Sequence, residues 1–188
     1  GPGGKAALLG ALAAQRGATL LANEVSHHRT KLVADSVKAL PSGVVSLRTG
    51  DGRDFGEQES GSYDRILLDA PCSGLGSLRR RPESRWRKQE SDVAELASLQ
   101  RQLLLSALNA LRSGGVVAYV TCSPHVLETS LVVKDALRRF KQASLLNAGE
   151  VAAQLSLSPI SGCQQQMLQL WPDTDGTDAM FCALIRRD

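Results

Sequence analysis

Two short segments carry residue types able to do covalent chemistry. One is Asp69-Ala70-Pro71-Cys72-Ser73-Gly74; the other is Tyr119-Val120-Thr121-Cys122-Ser123. An ionised thiol is a nucleophile that can hold a covalent intermediate. Each segment follows a run that predicts a buried strand, Arg65-Ile66-Leu67-Leu68 and Gly115-Val116-Val117-Ala118-Tyr119. Tips of parallel strands line the ligand crevice of an open α/β sheet, so these two thiols are expected to share one site. Glycine, serine and proline neighbours set Cys72 and Cys122 apart from ordinary core cysteines. Cys163 and Cys182 read as core residues, Cys182 within the apolar run Met180-Phe181-Cys182-Ala183-Leu184. Asp69, between an apolar strand and a proline, suits a carboxylate in a partly buried cleft; a turn-forming aspartate is the plainer alternative.

The elements that must position these groups alternate along the chain. Leu8 to Ala14 predicts a helix closed by Gly17. Thr19 to Asn23 predicts a strand ending at Glu24, and Arg29 to Leu40 a helix stopped by Pro41-Ser42-Gly43. Val44 to Thr49 predicts a strand ending at Gly50-Asp51-Gly52, Gly56 to Ser62 a loop, and Tyr63 to Leu68 the next strand. Gly74 to Glu90 reads as a long basic loop. A helix capped by Ser91 or Asp92 follows, with an apolar stripe of Val93, Leu96, Leu99, Leu103, Leu104, Ala107, Leu108 and Leu111. Leu127 to Phe140 predicts a further helix, residues 141–170 stay ambiguous, and Met180 to Ile185 predicts a closing strand. Such alternation implies an α/β fold, a mostly parallel sheet with helices on both faces.

The 188 residues suffice for one α/β domain, and 43% hydrophobic residues support a real core. No apolar run reaches membrane-spanning length and no signal-peptide pattern opens the chain, which predicts a soluble protein. The four cysteines show neither metal-ligand spacing nor a small disulfide framework, so the expectation is no metal, reduced thiols and a cytoplasmic location. Net charge is only +3, but Arg79, Arg80, Arg81, Arg85, Arg87 and Lys88 fall close together around Trp86. Arginines contact phosphates and an aromatic stacks on an unpaired base, which suggests RNA; a solvated charged loop is the plainer alternative.

Three further features suit a nucleotide-like ligand. Gly3-Gly4-Lys5 opens a helix, where backbone can approach a ligand closely. Glu24, ending a strand, could accept ribose hydroxyls, and Asp51 could receive an adenine amino group. His27 and His28 read as surface residues of a helix start. A strand is expected before such a glycine turn, and none precedes Gly1, so the chain reads as a piece of a longer protein.

Taken together these segments resemble the NOL1/NOP2/Sun (Fmu) family of RNA cytosine-C5 methyltransferases. Pro2-Gly3-Gly4-Lys5 is similar to the end of that family's A-P-G-G-K-T loop, with Gly1 and Ala6 at the outer places. Ala22-Asn23-Glu24 with Arg29 resembles its ribose-binding strand end, Glu replacing the commoner Asp; Gly50-Asp51-Gly52-Arg53 resembles its adenine-side motif. Asp69 to Gly74 is its D-A-P-C-S-G unchanged, and Tyr119 to Ser123 resembles Y-[SA]-T-C-S. Two places depart: Glu128-Thr129-Ser130 stands for Glu-Asn-Glu, and Asp178-Ala179-Met180-Phe181 for Asp-Gly-Phe-Phe. Gly76 to Trp86 with Leu99-Gln100 looks most like the bacterial branch that modifies small-subunit ribosomal RNA.

The resemblance implies a Rossmann-like S-adenosylmethionine-dependent methyltransferase domain over residues 1–188, without its first strand and without N-terminal RNA-binding regions. It implies S-adenosylmethionine held by Pro2, Gly3, Gly4, Lys5, Glu24, Arg29, Asp51 and Asp69. It also implies methylation of cytosine C5 in RNA, with Cys122 attacking C6, Asp69 holding the N3/N4 edge of the base, and Cys72 assisting release. Transfer RNA is the alternative substrate. A methyltransferase acting on protein or small molecules has no need of thiol addition to a pyrimidine, and a non-catalytic RNA-binding module no need of both cysteines and Asp69.

Overall fold

The computed structural model describes residues 3–86, 89–156, 160–164 and 166–188. Pro2, Arg87 and Lys88 lie outside the described residues, as does the side chain of Cys163. The chain divides into two units, Gly1–Asp54 and Phe55–Asp188, taken here one at a time.

In the first unit α1 (Gly4–Gln15) starts at Gly3, whose φ of 96° is left-handed backbone that glycine adopts without strain. A Cβ on Gly3 would also run into the Ser36 side chain, so this turn needs glycine twice over. β1 (Leu20–Glu24), α2 (His27–Val37) and β2 (Val45–Thr49) form a βαβ unit. The strands pair in parallel from Leu20 opposite Val45 to Glu24 opposite Thr49. Ser26 caps α2, its side chain accepting from the Arg29 N–H at 3.3 Å. That cap starts the helix at His27, ahead of the expected Arg29. His27 and His28 are exposed on its first turn, as expected.

The second unit opens with the short helix α3 (Phe55–Gln58), inside a segment expected to be loop, then β3 (Tyr63–Asp69). The expected basic loop contains two 3-10 turns, Leu75–Ser77 and Pro82–Trp86. α4 (Glu90–Ala110) is capped by Gln89, reciprocally with Asp92, rather than by Ser91 or Asp92. β4 (Leu111–Thr121), α5 (Ser130–Arg139), β5 (Ala143–Leu146), α6 (Ala148–Leu155), β6 (Leu168–Leu170), α7 (Pro172–Asp175) and β7 (Met180–Arg187) complete it. The helix expected from Leu127 begins only at Ser130. A 3-10 turn at Val126–Glu128 precedes it, and Thr129 (φ −123°, ψ −106°) interrupts the helical path.

The sheet order is β3-β4-β7-β5, with β6 also on β7. β3 and β4 are parallel, while β7 runs antiparallel to β4, β5 and β6. Four strands therefore share one direction and only β7 opposes them. Alternate residues of β4 and β7, among them Val117, Tyr119, Phe181, Ala183 and Ile185, face the core against Leu104 and Leu108 of α4 and Val132, Val133 and Ala136 of α5. Val93, Leu104, Ala107, Leu108 and Leu111 of the expected stripe are buried, while Leu96, Leu99 and Leu103 are only partly buried. Ala97 and Gln100 join the buried face, which carries Gln100, a polar residue, to full burial.

Candidate active site

Strand register brings the two thiols together. Asp69 lies opposite Val120, and the Ala70 N–H donates to the Val120 carbonyl at 2.9 Å. β3 and β4 thus leave the sheet side by side, and the loops beyond them set Cys72 Sγ 3.2 Å from Cys122 Sγ. Both cysteines are partly buried. Contact with the Cys122 side chain, then burial, pushes the Cys72 thiol far above the ordinary thiol range. Two interacting thiols titrate as a pair.

Asp69, expected in a partly buried cleft, is exposed. β3 ends the five-stranded sheet and is paired there only with β4, so its outward residues lack a covering strand in that sheet.

Gly76 locks the Cys72 loop in place. Its N–H donates to the Cys122 carbonyl at 2.9 Å, and its carbonyl accepts from the Ala179 N–H at 2.8 Å. A Cβ at Gly76 would collide with the Ala179 and Cys122 carbonyl oxygens, so only glycine permits this approach.

Beneath both loops lies a group named in the sequence only as the first residue of Glu128-Thr129-Ser130, with no role assigned to it. Glu128 is fully buried, and its carboxylate accepts from the Ser73 N–H, the hydroxyls of Ser73 and Ser123, and the Gln100 amide. The Tyr119 hydroxyl donates to the Glu128 carbonyl at 2.7 Å. Burial, then the nearby Glu128 carboxylate, raises the Tyr119 phenol well above its ordinary range. The signals in the sequence were the repeated Cys-Ser pair and an acid set within Val126-Leu127-Glu128-Thr129-Ser130-Leu131.

Of the basic segment, Arg79 and Arg80 both pair with Asp178, at 3.1 and 2.5 Å. Hydrogen bonds from Arg80 hold the Asp178 carboxyl below the ordinary carboxylate range; Arg79 adds to this and burial opposes it. Arg81 is exposed, and Arg85 lies over the ring of Trp86, 5.2 Å from its centroid. Trp86 itself is 83% exposed.

In the first unit the candidate ligand carboxylates sit at adjacent strand tips. Arg29 grips Glu24 with two bonds, Nε to Oε2 at 2.7 Å and a second N–H to Oε1 at 3.3 Å. Asp51 follows β2 and is held by Arg53 at 2.6 Å, which keeps its carboxyl below the ordinary range. The Gly50 N–H donates to the Glu24 carbonyl at 3.0 Å, and Asn23 Nδ2 to the Gly50 carbonyl at 2.9 Å, tying the two tips together. Asn23 Oδ1 is buried without a hydrogen-bond partner. Gly4 and Lys5 are exposed on the first turn of α1. Among the described residues no helix is long and apolar enough to cross a membrane, and no cluster of His, Cys, Asp and Glu is placed to hold a metal ion.

A fold of this kind is Rossmann-like and similar to that of S-adenosylmethionine-dependent methyltransferases. The family model for the 16S rRNA methyltransferase RsmB/F matches residues 1–186. The chain therefore belongs to this family, whose members use S-adenosylmethionine. It is 50% identical over its whole length to Rv1407 of Mycobacterium tuberculosis (strain ATCC 25618 / H37Rv), which carries a methyltransferase name, and covers 39% of that protein. It is 39% identical over 153 residues to ribosomal RNA small subunit methyltransferase B of Escherichia coli O6:K15:H31, covering 79% of this chain and 34% of the relative. Among solved structures, NSun6 from Pyrococcus horikoshii with SFG superposes at a TM-score of 0.82 with 26% identity, over 99% of this chain and 45% of the other. The chain thus spans well under half the length of these relatives.

Proposed function

We propose that this chain is the catalytic part of an S-adenosylmethionine-dependent RNA methyltransferase that methylates cytosine C5 in small-subunit ribosomal RNA. The observation that carries the reading is the 3.2 Å pair of thiols, each at the tip of a parallel strand. Cytosine C5 is a poor nucleophile, and addition of a thiolate to C6 makes it electron-rich. In this reading the Cys122 thiolate forms the bond to C6, and the Cys72 thiol, 3.2 Å away, would donate to the Cys122 sulfur and favour its ionised form. Asp69, exposed at its strand end, would hydrogen-bond the N3/N4 edge of a base turned out of its stack. After methyl transfer a base takes the C5 proton, the electron pair of that bond restores the C5–C6 double bond and expels Cys122 as a thiolate, and Cys72 would assist that release.

The residues of the first unit suit the cofactor. Glu24 and Asp51 offer two carboxylates at neighbouring strand tips, Asn23 Oδ1 lacks a partner, and Gly3, Gly4 and Lys5 open a helix N-terminus. Glu24 with Arg29 would take the ribose hydroxyls and Asp51 the adenine side, with Pro2 and Asp69 the remaining candidates. S-adenosylmethionine supplies the electrophilic methyl group. NSun6, the neighbour solved with SFG, an analogue of this cofactor, supports the assignment. Exposed Arg81, Arg85 and Trp86 suit RNA phosphates and an unpaired base, and Arg87 and Lys88 extend the same basic run. Arg79 and Arg80 reach Asp178 while remaining half-exposed.

The test uses the full-length protein and substrate RNA. Cys122→Ala is expected to abolish methylation, and Cys72→Ala to leave an RNA–protein adduct on denaturing gels. Methylation by Cys122→Ala at the wild-type rate sinks the assignment. Bisulfite sequencing of ribosomal RNA from a deletion strain and its parent is expected to show one cytosine losing protection; an unchanged pattern removes the ribosomal substrate.

A further inference from the structure

We propose that Glu128 is a positioning residue that holds the two cysteine loops at their working separation. Its Oε2 accepts from the Ser73 hydroxyl at 2.5 Å and from the Ser123 hydroxyl at 2.6 Å. Each of those serines directly follows one of the paired cysteines, so a single oxygen bridges both loops. Oε1 accepts from the Ser73 N–H at 2.7 Å and from Gln100 Nε2 at 3.2 Å. Gln100 Nε2 also donates to the Pro71 carbonyl at 2.8 Å, fastening the Cys72 loop from its other side. Both partners of Nε2 are acceptors, which fixes the orientation of the amide.

A buried carboxylate is a costly way merely to fill space, since an apolar side chain of similar volume does so with less desolvation. Four donors offset that cost here, and they arrive from both cysteine loops and α4. The Tyr119 hydroxyl on the Glu128 carbonyl pins the backbone of the same residue to β4. Two loops already joined by the Gly76 N–H on the Cys122 carbonyl and by the sulfur contact thereby acquire a second link, made by a carboxylate close to the thiols. This role rests on the proposed reaction, but the spacing it sets is measurable without RNA.

The experiment compares Glu128→Gln with wild type in the full-length protein. Glutamine keeps the shape and the bonds at Oε1 but places an NH2 where two hydroxyls donate. Circular dichroism reports folding. Diamide then takes two electrons and two protons from two thiols, and peptide mapping follows formation of the disulfide between Cys72 and Cys122. In folded Glu128→Gln the rate of that disulfide is expected to fall about tenfold, and kcat for methylation between about tenfold and a hundredfold. KM for S-adenosylmethionine is expected to stay within about twofold, and Glu128→Asp to recover part of both rates. A folded Glu128→Gln with a wild-type disulfide rate overturns the proposal, whatever its methylation rate. Should Glu128→Gln fail to fold, Ser73→Ala and Ser123→Ala are read in the same way, and unchanged disulfide rates in both overturn it. Absence of cytosine methylation in wild type, with a disulfide rate that still depends on Glu128, sinks the proposed reaction and leaves the positioning role standing.

Discussion

Cys72 and Cys122 were legible as a pair because their neighbours are wrong for a core: proline, serine and glycine do not pack like the run around Cys182. Glu128 was not legible as a buried group, since acids are rarely buried and nothing local marks its four donors. The Cys72 thiol yields a test of its environment. In an unfolded chain it ionises near its ordinary value of 9.0, and in the fold the Cys122 contact and burial raise it. Below that unfolded value both states keep the proton and its contribution to stability is fully present. Above it the unfolded state gives up its proton first, so stability falls as pH rises toward the folded value, by at most about 1.4 kcal/mol per pH unit for one group. Urea midpoints are expected to decline above about pH 9, the ordinary thiol range, and Cys72→Ala to flatten the decline. Cys182 and Tyr119, also raised, titrate in the same sense and leave a residual slope. Equal slopes with and without Cys72 would contradict the raised value.

Elements set the site through backbone contacts more than through side chains. The Cys72 loop is threaded between the Cys122 carbonyl and the Ala179 N–H by Gly76. Gly76→Ala puts a methyl group against two carbonyl oxygens and is expected to cost about 1–3 kcal/mol of stability. The same displacement is expected to lower methylation by the full-length protein about a hundredfold. Wild-type activity in that variant would show that the loop finds another path. Element order was readable from alternating apolar runs, and strands ended within two residues of the expected places, though β4 starts at Leu111, four residues before the expected Gly115. The face of α4 was readable at Val93, Leu104, Ala107 and Leu108 but not at Gln100, because leucines at 96, 99 and 103 outweigh it in any count of apolar residues. Gln100 is nevertheless the buried one, drawn inward by the Pro71 carbonyl and Glu128, partners remote in the chain. A pattern of local hydrophobicity cannot register such partners.

Charge acts at the scale of the whole molecule. A net charge of +3 says little, and only its concentration near Trp86 pointed to RNA. Two of those arginines are tied to Asp178, a pairing across about half the chain that sequence proximity did not suggest. RNA affinity is expected to fall with salt, and replacing exposed Arg81 and Arg85 by alanine to reduce the slope of log K against log salt by roughly 1.4. An unchanged slope would place RNA elsewhere on the surface. The core of the second unit is equally open to test: Leu108 is fully buried against β4 and α5, and Leu108→Ala is expected to cost about 2–5 kcal/mol in a denaturation titration. The parallel part of the sheet followed from alternation of strands and helices. The insertion of β7 between β4 and β5 did not, because strand order is decided by pairing partners far apart in sequence.

On the proposed chemistry, contact between the two sulfurs ties the second step to the first. While the Cys122 sulfur is not yet bonded to carbon, it lies against the Cys72 thiol and raises it. Once bonded to carbon it carries no charge and is a poorer acceptor, so the largest cause of that rise is gone. Completion of the first step thus reaches the second thiol directly, through the contact that already joins them.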